Sequence, residues 1–361
     1  MNNGIQNIFG TAKRFYLTNR RGQSFIAGLL SSLQKSAKTR EQFEKEGTHI
    51  PPFLIASVTS TCNLHCTGCY ARANGGCSDD LKGSELTTEN WNNIFTQASN
   101  VGVSFILLAG GEPLIRRDII ETAGQFSNII FPIFTNGTMI DESYISLFDT
   151  HRNLIPVLSI EGDEEKTDLR RGEGVSANVK NTMRILKEKG ILFGASITVT
   201  SENMHAVTQE DFVADLREQG CGLLFYVEYV PAEKGTEYLI LDDAGLENLA
   251  LQINKLRNKK QNEDTIILSF PGDEEKMGGC LAAGRGFFHI NASGGAEPCP
   301  FSPFSELNMR EHTLLDVLRS PYFEEIRKIS AAQAFSHKGG CTLFEHEEEV
   351  KAKLNAFAAN N

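Results

Sequence analysis

The sequence predicts an α/β fold of successive strand–helix units that share a parallel sheet. From Pro52 onward, short apolar runs alternate with helical patterns, which is typical of βα units. Polar residues also follow nearly every apolar run. Because the carboxyl ends of the strands converge on one rim of a βα barrel, these residues predict a single site there. The six candidate strands are 53–58, 104–109, 129–134, 154–160, 192–199 and 223–230.

Helical patterns fill the segments between these strands. In 177–189, Val179, Met183 and Leu186 fall on one face, and Gly190 provides a stop signal. The pair Thr87-Thr88 predicts the start of a helix that contains Trp91, whose indole is expected in the core.

Composition bounds the class of protein. With 361 residues, 40% hydrophobic and 22% charged, the chain is predicted to be globular, with one large domain and appendages. The predicted regions are an N-terminal basic helical extension (1–50), a barrel (51–270) and a small C-terminal domain (271–361). The absence of a long apolar run and of a signal-peptide pattern predicts a cytoplasmic protein. Eight cysteines are too few for a disulfide scaffold and favour metal ligands.

Charge is unevenly distributed along the chain. The net charge is −11, but residues 1–46 hold eight Lys or Arg and three Glu, which gives +5 there and −16 elsewhere. An acidic body argues against nucleic-acid binding. In the basic segment, apolar side chains recur at helical spacing, and they are Ile26, Leu29, Leu30 and Leu33. This pattern favours a helix packed against the barrel, and the alternative is peripheral contact with anionic lipid or an acidic partner.

Three cysteines follow the first strand directly: Cys62, Cys66 and Cys69, spaced as CxxxCxxC. Three soft thiolates on one short loop suit an iron–sulfur cluster whose fourth iron stays open for chemistry. The alternative is a structural zinc site, which wants four ligands, usually as paired short spacings. The chain has no second CxxC, so the cluster is favoured.

A second motif, Gly110-Gly111-Glu112-Pro113, follows the second predicted strand. With the cysteine loop, it resembles the radical S-adenosylmethionine (SAM) superfamily over roughly residues 52–231. The resemblance implies a partial (β/α)6 barrel of TIM type. It also implies a [4Fe–4S] cluster on the three cysteines, with SAM chelating the open iron. The reduced cluster would cleave SAM to a 5′-deoxyadenosyl radical that abstracts hydrogen from a substrate.

The resemblance also implies SAM contacts. Gly110 and Gly111 let the backbone approach the ligand, and Glu112 would neutralise the methionine ammonium. Ser159 and Glu161 resemble a segment that contacts the SAM ribose, with Glu161 in place of the more usual Asp.

Further contacts are expected from an arginine and two polar residues. Either Arg170 or Arg171, with Arg171 preferred, would bind the methionine carboxylate, and the alternative for each is a solvated helix end. Asn136 and Ser196 are candidates for ribose or carboxylate contacts.

The adenine contact departs from the family pattern. Most members have an aromatic residue just before the third cysteine, and this chain has Gly68 there. Either Tyr70 or the backbone of Gly68 is expected to meet the adenine.

A second group of cysteines lies beyond the barrel: Cys280, Cys299 and Cys341. With a predicted hairpin at 287–295, they resemble the opening of the SPASM extension and its shorter twitch form, which implies one auxiliary [4Fe–4S] cluster. The cluster would lack one ligand, and the candidates are His289, His337, His346 and Cys221, or an open position. The alternative is three separate buried thiols. Cys77 is expected to bind neither cluster.

The predicted function is hydrogen abstraction from a small molecule or peptide bound between rim and extension, with net oxidation through the auxiliary cluster. Glu228 and Tyr229 are expected to contact this substrate, and core packing is the alternative for both. A flavodoxin or ferredoxin would supply electrons. Maturation of a ribosomally made peptide is an alternative, although the N-terminal fifty residues look too short for a leader-binding domain. Alternatives of other classes are a non-catalytic iron–sulfur electron carrier and a zinc-stabilised binding module.

Overall fold

A single mixed sheet organises the chain. The computed structural model describes residues 2–17, 20–80, 84–332 and 341–358. The strands are β1 (Phe53–Thr59), β2 (Phe105–Gly110), β3 (Phe131–Thr135), β4 (Leu154–Ile160), β5 (Gly194–Val199), β6 (Leu223–Glu228), β7 (Ile266–Phe270), β8 (His289–Ile290) and β9 (Ala296–Glu297).

The strand order is β7-β6-β5-β4-β3-β2-β1-β8-β9, and every neighbouring pair is parallel except β8 and β9. The sheet does not close on itself, so the described residues form a partial barrel. This confirms the predicted α/β fold class. The six predicted strands correspond to β1–β6, and β7 was missed. Leu268 in the middle of β7 is 38% exposed because this strand forms one edge of the sheet.

Helices cover the outer face of the sheet and follow most strands. They are α1 (Asn2–Tyr16), α2 (Arg20–Lys45), α3 (Tyr70–Ala73), α4 (Thr88–Val101), α5 (Arg117–Gly124), α6 (Glu142–Thr150), α7 (Glu164–Arg171), α8 (Val175–Glu188), α9 (Met204–Val207), α10 (Glu210–Glu218), α11 (Asp243–Asn258), α12 (Leu314–Leu318), α13 (Pro321–Ala332), α14 (Thr342–Glu345) and α15 (Glu347–Ala358). The predicted helix at 177–189 corresponds to α8.

The N-terminal helices pack on the barrel. Asn7 donates to the carbonyl of Thr265 at 3.1 Å, and Arg14 Nη2 donates to the carbonyl of Arg217 at 2.7 Å. In α2, Leu29 is buried, whereas Leu30 is 51% exposed. Packing against the barrel, the favoured prediction for the basic segment, therefore accounts for α1 and for part of the apolar stripe on α2. None of the described helices is both long and apolar enough to cross a membrane.

The C-terminal extension joins the same sheet as the barrel. Strand β8 pairs in parallel with β1, and β8 and β9 form the predicted hairpin. Buried His289 connects the two parts, because Nε2 lies 2.7 Å from Ser57 Oγ and Nδ1 lies 2.7 Å from Glu297 Oε2. The boundary proposed at residue 270 therefore does not separate two sheets.

An aromatic cluster fills the space between α4 and the sheet. Trp91 is fully buried, as expected, with its ring centroid 5.8 Å from that of Phe95, which lies 5.2 Å from Phe131. Thr87 caps the start of α4, because its hydroxyl accepts a hydrogen bond from the N–H of Asn90 at 3.2 Å. Among the described residues, the indole N–H of Trp91 has no hydrogen-bond partner.

We predict that Trp91→Ala lowers the free energy of unfolding by about 3–5 kcal/mol, because it leaves a large cavity. Trp91→Phe should cost clearly less, because it keeps much of the ring and removes the unpaired N–H. Urea denaturation followed by far-ultraviolet circular dichroism measures both variants. Equal losses for the two would contradict the packing role.

Candidate functional site

A cavity of about 280 Å³ lies at the carboxyl ends of the barrel strands. Its apolar wall comes from strand side chains that include Phe134, Phe225 and Phe270. Its polar wall contains most of the predicted site residues: Cys62, Cys66, Gly68, Cys69, Tyr70, Gly110, Gly111, Glu112, Asn136, Ser159, Arg170, Arg171, Ser196, Glu228 and Tyr229. The structure therefore brings residues from all six predicted βα units to one place.

The cysteine loop begins where β1 ends. It is held by hydrogen bonds to residues that follow it in the sequence and to the end of α7. The N–H of Cys62 donates to the carbonyl of Ser78 at 3.1 Å. Arg72 Nη2 donates to the carbonyl of Leu64 at 2.8 Å, and the N–H of Thr67 donates to the carbonyl of Arg170 at 3.0 Å. The loop is thus fixed from both sides while its three thiols stay partly exposed.

Cys77 lies against this loop, although it was expected to take no part. A hydrogen bond between the thiols of Cys77 and Cys62, together with burial, raises the pKa of Cys62. Burial likewise raises the pKa of Cys66, which the charges of Arg171 and Arg170 offset in part. A metal centre that takes up these sulfurs must therefore displace their protons.

The three thiols fit a cluster in their chemistry and their arrangement. They line one cavity, and three thiolates on one short loop suit a [4Fe–4S] cluster, in which each thiolate binds a different iron. This donor set therefore suits a cluster.

Gly110 and Gly111 allow β2 to approach the end of β1. A Cβ at Gly110 would lie 2.3 Å from the carbonyl oxygen of Thr59, and one at Gly111 would lie 2.1 Å from that of Thr61. The N–H of Gly111 donates to the carbonyl of Thr59 at 2.9 Å. These glycines are required by strand contact, which places the Gly-Gly-Glu segment beside the cysteine loop.

Glu112 is buried and held by three donors. Its Oε1 accepts from the N–H of Leu114 at 3.0 Å and the hydroxyl of Thr135 at 2.8 Å, and its Oε2 accepts from the N–H of Asn136 at 2.8 Å. Burial nevertheless raises the pKa of Glu112 to about 7. The carboxylate is oriented at the cavity wall, where a ligand cation would favour its ionised form.

The other polar wall residues lie on neighbouring strands. Ser159 of β4 and Ser196 of β5 stand side by side in register. The Asn136 side chain is engaged within the protein, because Nδ2 donates to Asn63 Oδ1 at 2.9 Å and Oδ1 accepts from the N–H of Thr138 at 2.9 Å. Asn136 thus ties the end of β3 to the cysteine loop.

Glu161 is absent from the cavity wall and is paired with both arginines. Its Oε1 accepts from Arg170 Nη1 at 2.6 Å and from Arg171 Nε at 2.8 Å. The arginine side chains are only 17% and 11% exposed, which argues against solvated helix ends. This position favours a role for Glu161 in orienting the guanidinium groups over direct contact with a ribose.

The two arginines differ in their remaining contacts. Arg170 Nε donates to the carbonyl of Thr67 at 3.1 Å, and its Nη1 also donates to Thr198 Oγ1 at 2.8 Å. Arg170 therefore braces the cysteine loop. This leaves Arg171 as the better candidate for a ligand carboxylate, a role that stays a prediction.

Tyr229 fills the space next to Gly68. Gly68 has φ +68°, and a Cβ there would lie 2.4 Å from the Tyr229 hydroxyl oxygen. The Tyr229 hydroxyl donates to Thr236 Oγ1 at 2.7 Å, which fixes the ring. The predicted adenine neighbour Tyr70 packs edge-on against Phe301, with ring centroids 4.9 Å apart. The aromatic surface near the third cysteine thus comes from Tyr229, directly after β6, and from Tyr70 at the start of α3.

The second group of cysteines also converges. The thiols of Cys299 and Cys341 are hydrogen-bonded, and Cys280 is close enough to interact with both. Burial raises the pKa of Cys280 and of Cys299. Three separate thiols are therefore a poorer description than one group. Phe301, two residues after Cys299, lines the main cavity, so the segment that carries Cys299 forms part of the cavity wall.

The predicted candidates for a fourth ligand of the second cysteine group differ in their surroundings. His289 has both ring nitrogens engaged, by Ser57 and Glu297. Cys221 lies elsewhere, fully buried with its thiol 3.2 Å from the carbonyl oxygen of Leu223. His346 lies 3.7 Å from Glu349, and His337 lies outside the described residues.

Two acidic residues were missed in the sequence. Glu85 accepts from the N–H of Ser60 at 2.7 Å and from the hydroxyl of Thr59 at 3.0 Å, which anchors the end of β1. Glu274 is buried beside Cys280. Neither residue belongs to a sequence motif, and only the burial of their side chains in the structure distinguishes them from other acidic residues.

Comparisons with known proteins agree with this geometry. The profile of the Radical SAM superfamily matches residues 56–218. The AdoMet-dependent heme synthase of Methanosarcina barkeri is 23% identical over 339 residues, which cover 86% of this chain and 94% of that protein. The PqqA peptide cyclase of Gluconobacter oxydans is 26% identical over 259 residues, which cover 69% of this chain and 70% of that protein.

Solved structures show the same fold. SuiB of Streptococcus suis, bound to the precursor peptide SuiA, superposes with a TM-score of 0.65 at 21% identity over 85% of this chain and 76% of that one. The matched profile spans β1 to β5, which supply the cysteine loop, the Gly-Gly-Glu-Pro segment and both wall serines. The chain therefore belongs to the radical SAM superfamily, with a C-terminal extension that resembles the SPASM/twitch type.

Proposed function

We propose that this protein is a radical SAM enzyme that abstracts hydrogen from an organic substrate and carries out a net oxidation. The observation that carries the proposal is the shared cavity, in which three thiols face Gly110, Gly111 and Glu112. An electron carrier would need neither this segment nor a cavity beside the cysteine loop.

The bound [4Fe–4S] cluster and SAM would supply reductive cleavage of the sulfonium to a 5′-deoxyadenosyl radical, which takes a hydrogen atom from the substrate. The chain's residues would bind and orient the donor. Glu112 would accept a hydrogen bond from the methionine ammonium. Arg171, oriented by its hydrogen bond to Glu161, would bind the methionine carboxylate. Ser159 and Ser196 would serve the ribose hydroxyls, and the apolar strand side chains would exclude water.

The oxidative outcome is supported by the wall between the two cysteine groups. Tyr70 follows Cys69, Phe301 lies two residues after Cys299, and their rings are in contact. A substrate radical in the cavity would lose one electron towards the second group and one proton, which completes a two-electron oxidation. Glu228 and Tyr229, which line the cavity, would contact this substrate.

The substrate is a small molecule or a peptide. Two matched proteins bear names that state peptides, the PqqA cyclase and SuiB with its precursor, so peptide maturation is the second candidate function. The heme synthase match covers 86% of this chain, against 69% for the PqqA cyclase, and supports a small-molecule substrate. A flavodoxin or ferredoxin in the cytoplasm would provide the reducing electron.

We predict that anaerobically reconstituted protein holds about eight irons per chain and yields 5′-deoxyadenosine from SAM when reductant is added. Changing Cys62, Cys66 and Cys69 together to Ala should remove about four irons and abolish this product. Cys221→Ala is the matched control, because Cys221 is buried away from both groups, and it should change neither value. If the protein binds zinc instead of iron and sulfide, or leaves SAM intact, the proposed enzymatic function is wrong.

We predict that changing Cys280, Cys299 and Cys341 together to Ala also removes about four irons. This variant should still cleave SAM with an artificial reductant, because the first cysteine loop is untouched. Iron and sulfide counting with detection of 5′-deoxyadenosine tests both. An unchanged iron content would rule out the second cluster.

We predict that SAM binds several-fold more tightly as pH rises from about 6 to about 7, a range in which its own amino group stays mostly protonated. The pKa of Glu112 is raised to about 7, so its carboxyl is mostly neutral at the lower pH and about half ionised at the higher. Equilibrium dialysis of reconstituted protein provides the dissociation constants. Glu112→Gln should bind more weakly and without this trend, and a wild-type curve as flat as that of the variant would contradict the role.

A further inference from the structure

The second cysteine group supplies three thiolates, so one iron of a [4Fe–4S] cluster there would lack a ligand from these cysteines. One unexplained group beside Cys280 is Glu274, six residues earlier in the sequence. Its side chain contacts the thiol of Cys280, and the residue is only 4% exposed. A carboxylate so far from water needs a cationic or hydrogen-bonding partner.

That requirement is only partly met by the protein. The N–H of Leu281 donates towards the carboxylate, but Oε1 of Glu274 has no hydrogen-bond partner within the described ranges. Arg285 is the nearby positive charge, and its Nη1 donates to the carbonyl of Cys280. A carboxyl oxygen without a hydrogen-bond partner, next to the thiol of Cys280, is available to bind a metal held by that thiol.

The turn that carries Glu274 is rigid. Asp273 forms a two-point pair with Arg257, at 2.7 and 2.6 Å, and its Oδ2 also accepts from the N–H of Ser269 at 2.8 Å. The N–H of Glu274 donates to the carbonyl of Pro271 at 2.7 Å, and its own carbonyl accepts from Gly279 at 3.0 Å. The backbone that carries the Glu274 side chain is therefore held in place before any ligand binds.

Other side chains near the group are weaker candidates. Ser330 Oγ lies beside Cys280, but a neutral hydroxyl is a poorer ligand for iron than a carboxylate. His289 is fully engaged by Ser57 and Glu297. Cys77 lies at the first cysteine group instead, where its thiol is hydrogen-bonded to that of Cys62.

We propose that Glu274 is the fourth protein ligand of the auxiliary cluster, completing the set of Cys280, Cys299 and Cys341. The inference rests on the proposed second cluster. It closes that cluster to substrate, which leaves electron transfer as its role. The open iron for chemistry is then confined to the first cysteine loop.

The test uses the full chain with Cys62, Cys66 and Cys69 changed to Ala, so that only the second site binds iron. This parent should hold about four irons and keep them after mild oxidation, because each iron has a protein ligand. Adding Glu274→Ala should give a cluster that loses one iron on oxidation and shows the electron paramagnetic resonance signal of a [3Fe–4S] form. Adding Glu274→Cys should restore resistance to oxidation, with a signal changed from that of the parent.

Glu275→Ala is the matched control, since its side chain is the exposed neighbour, and it should behave as the parent. His337→Ala and Ser330→Ala test the competing ligands. A parent that loses one iron, a Glu274→Ala variant that matches the parent, or an iron loss specific to His337→Ala or Ser330→Ala would overturn Glu274. If Glu274→Ala binds no iron at all, Glu274→Cys decides: about four irons support the ligand and none overturns it. A parent without iron would refute the second cluster itself.

Discussion

The close backbone contact between the ends of β1 and β2 is the constraint on which the site depends. Thr59 and Thr61 pass so near Gly110 and Gly111 that no side chain could be inserted at either glycine. This contact fixes the distance between the cysteine loop and Glu112. A site that must hold a bulky ligand between two loops needs both loops placed by the scaffold, and here adjacent parallel strands do so.

Buried charge is the second organising feature. Glu161 pairs with both Arg170 and Arg171, and Arg170 in turn holds the cysteine loop through Thr67. Buried guanidinium groups without a counter-charge would be costly, so the three residues are best viewed as one unit that keeps a net positive charge. Glu112 lines the same cavity and carries the opposite sign when ionised, so the proposed zwitterionic donor would have a defined orientation there.

Much of this arrangement was predictable, because local rules decide it. Alternating apolar runs predicted six of the parallel strands, and the spacing of Cys62, Cys66 and Cys69 predicted the loop. Strand β7 was missed because its edge position leaves Leu268 partly exposed and weakens the pattern. The partners of Glu161, the contact of Cys77 with Cys62, and the burial of Glu274 depend on residues distant in sequence, so no local pattern could indicate them.

The pairing of β8 with β1 has a consequence for how the molecule can be divided. Strand β1 leads directly into the first cysteine loop, and β8 lies in the segment between Cys280 and Cys299. Cutting the chain before the hairpin would strip β1 of its neighbour and leave an unsatisfied strand edge, a template for self-association. The hairpin therefore shields the barrel strand that carries the first cysteine loop, although it lies more than 200 residues further along the chain.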